Sequence, residues 1–151
     1  MKTYNTNIDQ VSLVRTPSDV KKVKITKSTN ANNYLRELYN PGTIGYNETF
    51  IVLYLNTANN TIAWQLISQG GLNSTVVDVR MVVKGALDCG ATSIILSHNH
   101  PSGNINPSNA DKLTTKKIKD AAKLFDIRTL DHIIVSGDDE TYYSFGDNGE
   151  I

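Results

Sequence analysis

Apolar positions recur along this chain with two periods, and the switches between them mark out the elements. Residues 49–57, TFIVLYLNT, form an almost unbroken apolar run that predicts a buried strand. Asn59 and Asn60 read as a turn, and residues 61–70, TIAWQLISQG, as the antiparallel partner in a hairpin. Two polar-rich stretches near the start, VSLVRT (11–16) and VKKVKITK (20–27), place Val23 and Ile25 in alternation and predict short half-buried or edge strands.

The helical period appears three times. Ser28 to Asn30 can cap a helix through ANNYLRELYN, with Leu35 and Leu38 as its apolar spacing and Asn40–Gly42 as the stop. After Gly70 and Gly71, Asn73 or Ser74 can cap a helix with apolar positions Val76, Val79, Val82, Val83, Ala86 and Leu87, ended by Gly90. Residues 108–127 give a third, with Leu113, Ile118, Ala121, Ala122 and Phe125 as its apolar positions. This last helix lies between two short apolar runs, TSIILSHNHP and TLDHIIVSG. A helix of that length predicts a right-handed crossover joining parallel strands. The tail, ETYYSFGDNGEI, can add one more short strand or helix. Together these elements predict an α/β domain with helices against a mixed sheet.

Composition narrows the chemistry. The 151 residues suit one domain with one core and carry fifteen basic and fifteen acidic side chains, so no global field draws the protein to nucleic acid or to an anionic membrane. The first ten residues contain no apolar leader segment, and nowhere does an apolar stretch approach the roughly 18–20 residues that span a bilayer, which predicts a soluble, cytoplasmic protein without membrane partners. Cys89 is the single cysteine. A metal held by one such chain therefore needs nitrogen and oxygen ligands.

Residues 97–111, SHNHPSGNINPSNAD, supply them. On an extended chain residues i and i+2 project to one face, so His98 and His100 can aim two imidazoles at one place. Pro101 ends the regular strand, and residues 102–104, SGN, let the backbone turn back. Ser108 and Asp111 then open the next helix, close together on its first turn. Two imidazoles and a carboxylate suit catalytic zinc, which keeps a fourth position open for water. A plainer role exists for the last two, since Ser-x-x-Asp is close to a capping box. The roles are compatible. Hydrolysis also needs a base outside the ligand set, and Glu48, ahead of the most apolar strand, is one candidate beside Glu37, Asp78, Glu140 and Glu150.

The same fifteen residues, with NETFIVLYLNTANN, GGLNSTVVDVRMVVKGAL and LDHIIVSG in order, resemble the metalloprotease-like domain called JAB, MPN or JAMM, in its bacterial RadC branch. The likeness covers roughly residues 40–146. It implies a three-layer α-β-α fold with a mixed sheet, similar to that of cytidine deaminases, over residues 41–151, with residues 1–40 as an N-terminal extension of short strands and a helix packed on it. It further implies zinc on His98, His100 and Asp111, Glu48 as acid/base, Ser108 as donor to the tetrahedral intermediate, and a peptide or isopeptide as substrate. RadC proteins commonly carry an N-terminal helix-hairpin-helix region, whereas residues 1–40 contain no Gly-rich hairpin between two helices.

A competing class is a nucleic-acid-associated, DNA repair-type module with a structural or vestigial metal. Its best feature is the stretch from Lys112 to Arg128, where Lys112, Lys116, Lys117, Lys119, Lys123 and Arg128 face only Asp120 and Asp126. Such charge also serves simply as a solvated helix face. A zinc nucleoside deaminase would need a Cys-x-x-Cys pair that Cys89 alone cannot provide. His132 reads as a hydrogen-bonded strand histidine, Cys89 as a small filler, and Trp64 and Tyr54 as hairpin packing.

Overall fold

The computed structural model describes residues 7–71 and 75–151. Its elements run α1 (Ser28–Leu38), β1 (Thr49–Leu55), β2 (Thr61–Gln69), α2 (Val79–Cys89), β3 (Ser93–His100), α3 (Asn109–Lys123), β4 (Arg128–Ser136) and β5 (Tyr142–Ser144). The five strands form one mixed sheet in the order β2-β1-β3-β4-β5. β1 is antiparallel to both β2 and β3, β3 and β4 are parallel across the α3 crossover, and β5 closes the far edge antiparallel to β4.

All seven residues of β1 are buried because both faces of the sheet are covered. Alternation along the strand divides them. Ile51, Leu53 and Leu55 meet Leu35 and Tyr39 beneath α1, whereas Phe50, Val52 and Tyr54 meet Val82, Ala86, Ile118 and Ala122 under α2 and α3. The result is the three-layer α-β-α arrangement, with α1 as one whole outer layer. Burying each Val, Leu or Ile contributes about 1.5–3 kcal/mol, and the three adjacent strands β1, β3 and β4 carry most of the buried ones. Among the described residues no helix is long and apolar enough to cross a membrane.

Several local expectations change. Residues 11–16 form no strand, and Val11 and Val14 stand exposed; near the outer edge of β2 only the isolated bridge between Lys24 and Asn60 forms, so a β-prone run without a neighbouring ladder stays irregular. Helix α1 starts at Ser28 rather than after it, with Lys27 at the cap position making no side-chain capping bond. Asn73 and Ser74 lie outside the described residues; α2 starts at Val79, capped by the Asp78 carboxylate accepting from the Arg80 amide, and Val76 precedes it, exposed. Gly90 ends α2 in the left-handed conformation, as its position predicts. On α3, Leu113 is 69% exposed because it sits five residues from Ile118, about 140° around the helix from the buried stripe. Thr115, Ile118 and Ala122 make that stripe, and Phe125, beyond the helix end, is half exposed.

Candidate metal centre

The alternation that buries Ile94 and Leu96 against α2 and α3 carries on along β3, so His98 and His100 emerge on the same face at the strand's end. There the strand stops at Pro101. Gly103 takes a positive φ of 83°, which a side chain would strain, and the carbonyl of His100 accepts from the amides of both Gly103 and Gly137. The chain returns and opens α3, whose first turn presents Asp111 to the two imidazoles. His98 Nε2 lies 3.3 Å from one carboxylate oxygen and His100 Nε2 lies 3.3 Å from the other, while the two nitrogens are 3.0 Å apart.

These spacings fit a metal. Donors about 2.0–2.2 Å from a tetrahedral zinc stand about 3.3–3.6 Å from each other; each imidazole meets its own oxygen of the Asp111 carboxylate at that distance, and one ligand atom from each of the three residues lies within 4.8 Å of the others. The chemistry of the donors agrees. His100 Nδ1 lies 2.5 Å from the carbonyl of Asn104, which can only accept, so the ring proton is on Nδ1 and a neutral His100 turns a bare Nε2 toward the centre. Among the described residues His98, His100 and Asp111 form the one cluster able to hold a metal ion.

Asp111 has a second task. Ser108 Oγ accepts from the Asp111 amide at 3.0 Å, and the Asp111 carboxylate accepts from the Ser108 amide at 2.8 Å, a reciprocal capping box. The same contacts that start α3 therefore orient the carboxylate, and the bond Ser108 Oγ accepts leaves its O–H proton to donate elsewhere. Burial alone would raise the Asp111 pKa, but the imidazoles of His100 and His98 hold it well below the usual carboxylate range. Burial also disfavours the charged form of His100; the Asp111 carboxylate and the Asn104 carbonyl outweigh it, and the His100 pKa is raised.

Glu48 directly precedes β1 and is half-buried. Its backbone is tied to the far end of the hairpin, the Gly70 amide donating to its carbonyl at 2.8 Å. Phe50 pairs with His98 across β1 and β3, and Glu48, two residues before Phe50, is close enough to feel the charges of His98, His100 and Asp111. Burial raises the Glu48 pKa, with His98 and His100 drawing it down and Asp111 pushing it up.

Asn99, between the histidines, points to the opposite face. Its Oδ1 accepts from the Thr49 amide at 2.7 Å, and its Nδ2 donates to the carbonyls of Ile44 and Asn47 at 2.7 and 2.9 Å. It thereby fastens the segment bearing Glu48 to the strand bearing the imidazoles. His132 is fully buried on the α3-facing side of β4, its Nε2 2.7 Å from His98 Nδ1 and its Nδ1 2.6 Å from Thr115 Oγ1. Burial first, and the neighbouring His98, hold its pKa well below the usual imidazole range. Sequence reasoning found a hydrogen-bonded strand histidine here but missed its partner. The alternation of His132 and Ile134, set beside that of Leu96 and His98, was the available signal.

The acids Glu37, Asp78 and Glu140 serve elsewhere: Glu37 is exposed on α1, Asp78 caps α2, and Glu140 lies 3.6 Å from Arg36. Glu150 accepts from Lys112 at 3.2 Å and from Tyr143 at 3.0 Å. Of the basic side chains on α3, Lys112 is thus paired with Glu150, and Lys116 with Asp120 at 2.6 Å.

A family model described as "RadC-like JAB domain" matches residues 25–150. A UPF0758 protein of Flavobacterium johnsoniae is 47% identical over 126 residues, covering 83% of this chain and 53% of its own length. Two Escherichia coli proteins, UPF0758 protein YfjY and UPF0758 protein YeeS, are 47% and 45% identical over 102 residues each, covering 68% of this chain and 62% and 68% of their own lengths. The chain spans about half the length of several of the curated relatives it matches.

Proposed function

Because the chain belongs to the RadC-like JAB domain family, we propose that it is a zinc-dependent metallohydrolase that cleaves an amide bond in a peptide or isopeptide. The observation that carries this reading is the convergence of two imidazole Nε2 atoms and one carboxylate within reach of a single ion, beside a glutamate whose pKa is raised by burial. His98, His100 and Asp111 would hold the cation. Bound there, zinc supplies a Lewis acid that acidifies a water and polarises a carbonyl.

The chain's own residues do the rest. Glu48, partly withdrawn from solvent, binds a proton more readily than an exposed glutamate, so it takes the proton of the attacking water and delivers it to the departing amide nitrogen. The Ser108 hydroxyl donates to the oxyanion that develops on the substrate carbonyl. Asp111, fixed by the capping box, keeps Ser108 in register with the imidazoles.

Protein purified without chelator tests the reading through its zinc content and through anomalous scattering at the zinc edge, combined with hydrolysis of a panel of fluorogenic peptide and isopeptide substrates. About one zinc per chain with amide cleavage that Glu48→Gln abolishes is the expected result. Absence of zinc, or full activity in Glu48→Gln, overturns it. Salt-dependent binding to duplex DNA with no amide cleavage would instead favour the nucleic-acid module.

A further inference from the structure

The buried contacts behind His98 form a single file. Thr115 Oγ1 lies 2.7 Å from the backbone carbonyl of Asp111 and 2.6 Å from His132 Nδ1, and His132 Nε2 lies 2.7 Å from His98 Nδ1. Each of these three contacts is short enough to require a proton between its atoms. The carbonyl of Asp111 has none to give, so the Thr115 hydroxyl donates to it. That hydroxyl has a single proton, so it must accept from His132, whose proton is then on Nδ1. A neutral His132 with Nδ1–H has a bare Nε2, so the third proton comes from His98 Nδ1. With both rings neutral only one assignment satisfies all three contacts, and its last consequence is a His98 whose Nε2 carries no proton; the 3.0 Å between that atom and the bare His100 Nε2 then holds no proton, an arrangement suited to two donors turned toward one cation.

We propose that Thr115 and His132 are positioning residues that fix the tautomer of His98, so that its Nε2 is presented to a metal as a bare donor. The inference rests on the metallohydrolase reading for its purpose but not for its geometry. The packing makes the arrangement rigid. His132 stacks on Phe145 with ring centroids 4.8 Å apart and meets Phe50 edge-on at 5.5 Å, while His98 lies parallel to Phe50. Both histidines are buried, so no bulk water competes for their ring nitrogens. The origin of the file is a threonine one helical turn beyond Asp111. Its hydroxyl proton is committed to that residue's carbonyl, so the helix that supplies one ligand also dictates the proton position on another.

The direction of the file is reversible in principle. With no hydroxyl at 115, His132 can shift its proton to Nε2 and donate to His98 Nδ1; His98 then carries its proton on Nε2, where it meets the Asp111 carboxylate and blocks coordination. Thr115→Val removes the hydroxyl at nearly constant volume, and Thr115→Ser keeps it. His132→Phe removes the acceptor, and His132→Gln keeps an amide oxygen in its place.

The test uses the metal-free protein, labelled with 15N in its histidine rings, and reads the tautomers by long-range proton–nitrogen correlation at mildly alkaline pH. Zinc affinity follows from titration against a competing chelator. Wild type and Thr115→Ser are expected to show His98 and His132 as Nδ1–H tautomers and zinc affinities within about twofold of each other. Thr115→Val is expected to move both residues toward Nε2–H and to weaken zinc by about 10–100-fold, the usual scale for losing an outer partner of a ligating histidine. His132→Phe should weaken zinc likewise, with His132→Gln recovering most of the loss. A wild-type His98 with its proton on Nε2, or Thr115→Val with unchanged tautomers and zinc affinity, overturns the proposal. Wild-type protein that shows the expected tautomers but takes up no zinc overturns the metallohydrolase and leaves the proton order standing.

Discussion

The side-chain oxygen of Asn99 takes the place of a strand carbonyl for the amide of Thr49, accepting from it at 2.7 Å. Because Asn99 stands between His98 and His100, and Thr49 directly follows Glu48, one buried carboxamide registers the proposed base against the proposed ligands. Its Nδ2 holds two more backbone carbonyls.

Replacing Asn99 with Ala therefore strands one buried amide and two carbonyls. A lost partner costs about 1–3 kcal/mol where water cannot enter, as at the Thr49 amide, and less at the part-buried carbonyls of Ile44 and Asn47, so Asn99→Ala is expected to lower stability by about 2–4 kcal/mol and to loosen Glu48. Urea unfolding checks the first, and the hydrolytic rate of the fraction still folded checks the second. A loss under about 0.5 kcal/mol would mean that solvent satisfies these groups.

In the proposed reaction Glu48 and Ser108 divide the proton work, and their variants should separate. Glu48→Gln keeps shape and volume, so it should bind zinc as the parent does and lose nearly all turnover. Ser108→Ala removes both the cap and the oxyanion donor: an expected loss of about 1 kcal/mol in stability and about 100–1000-fold in rate, with zinc retained. Thermal melting, metal content and steady-state kinetics on the same preparations distinguish the two.

Substitution at the ligands should act on the metal first. His100→Ala and Asp111→Ala are each expected to abolish stoichiometric zinc, and Asp111→Ala should also destabilise α3 because its carboxylate no longer accepts from the Ser108 amide. Circular dichroism melts compared at saturating chelator and at pH 8.5, toward which the His100–Asp111 pairing fades, reveal that second loss, which His100→Ala should not share.

The pH dependence of the metal-free protein has a definite sign. The raised His100 pKa gives stability that is fully present below the free imidazole value of about 6.5 and is lost as pH rises through the higher folded value. Glu48, its pKa also raised, works in the same direction from its own ordinary value upward. Asp111, held low, contributes above about pH 4 and loses that contribution only as pH falls through its folded value. Buried His132 opposes folding only below about 6.5, where the unfolded chain takes up its proton. From pH 6.5 to 8.5 the chelated protein should therefore melt at progressively lower temperature, while saturating zinc should cancel the decline as the ligands lose competing protons. A flat chelated profile would remove the His100–Asp111 pairing from the account.

The sequence by itself determined the element order, the hairpin, the parallel crossover and the turn that returns His98 and His100 toward Asp111. Those features depend on local periods, on Pro101 and Gly103, and on the cap at Ser108, all of which act over a few residues. It also pointed to the RadC-like family through one compact motif. What only the tertiary structure decided was how distant segments meet: that residues 11–16 find no ladder, that Leu113 faces outward while Thr115 faces in, that Glu48 comes close enough to feel the charges of His98 and His100, and that His132 and Thr115 line up behind His98. Such contacts join residues 17 to 52 positions apart, and no local propensity encodes them. They follow from two-sided burial of the sheet, which sends alternate side chains of β3 and β4 to one helix, where their polar atoms find partners in each other and in the side chains of α3.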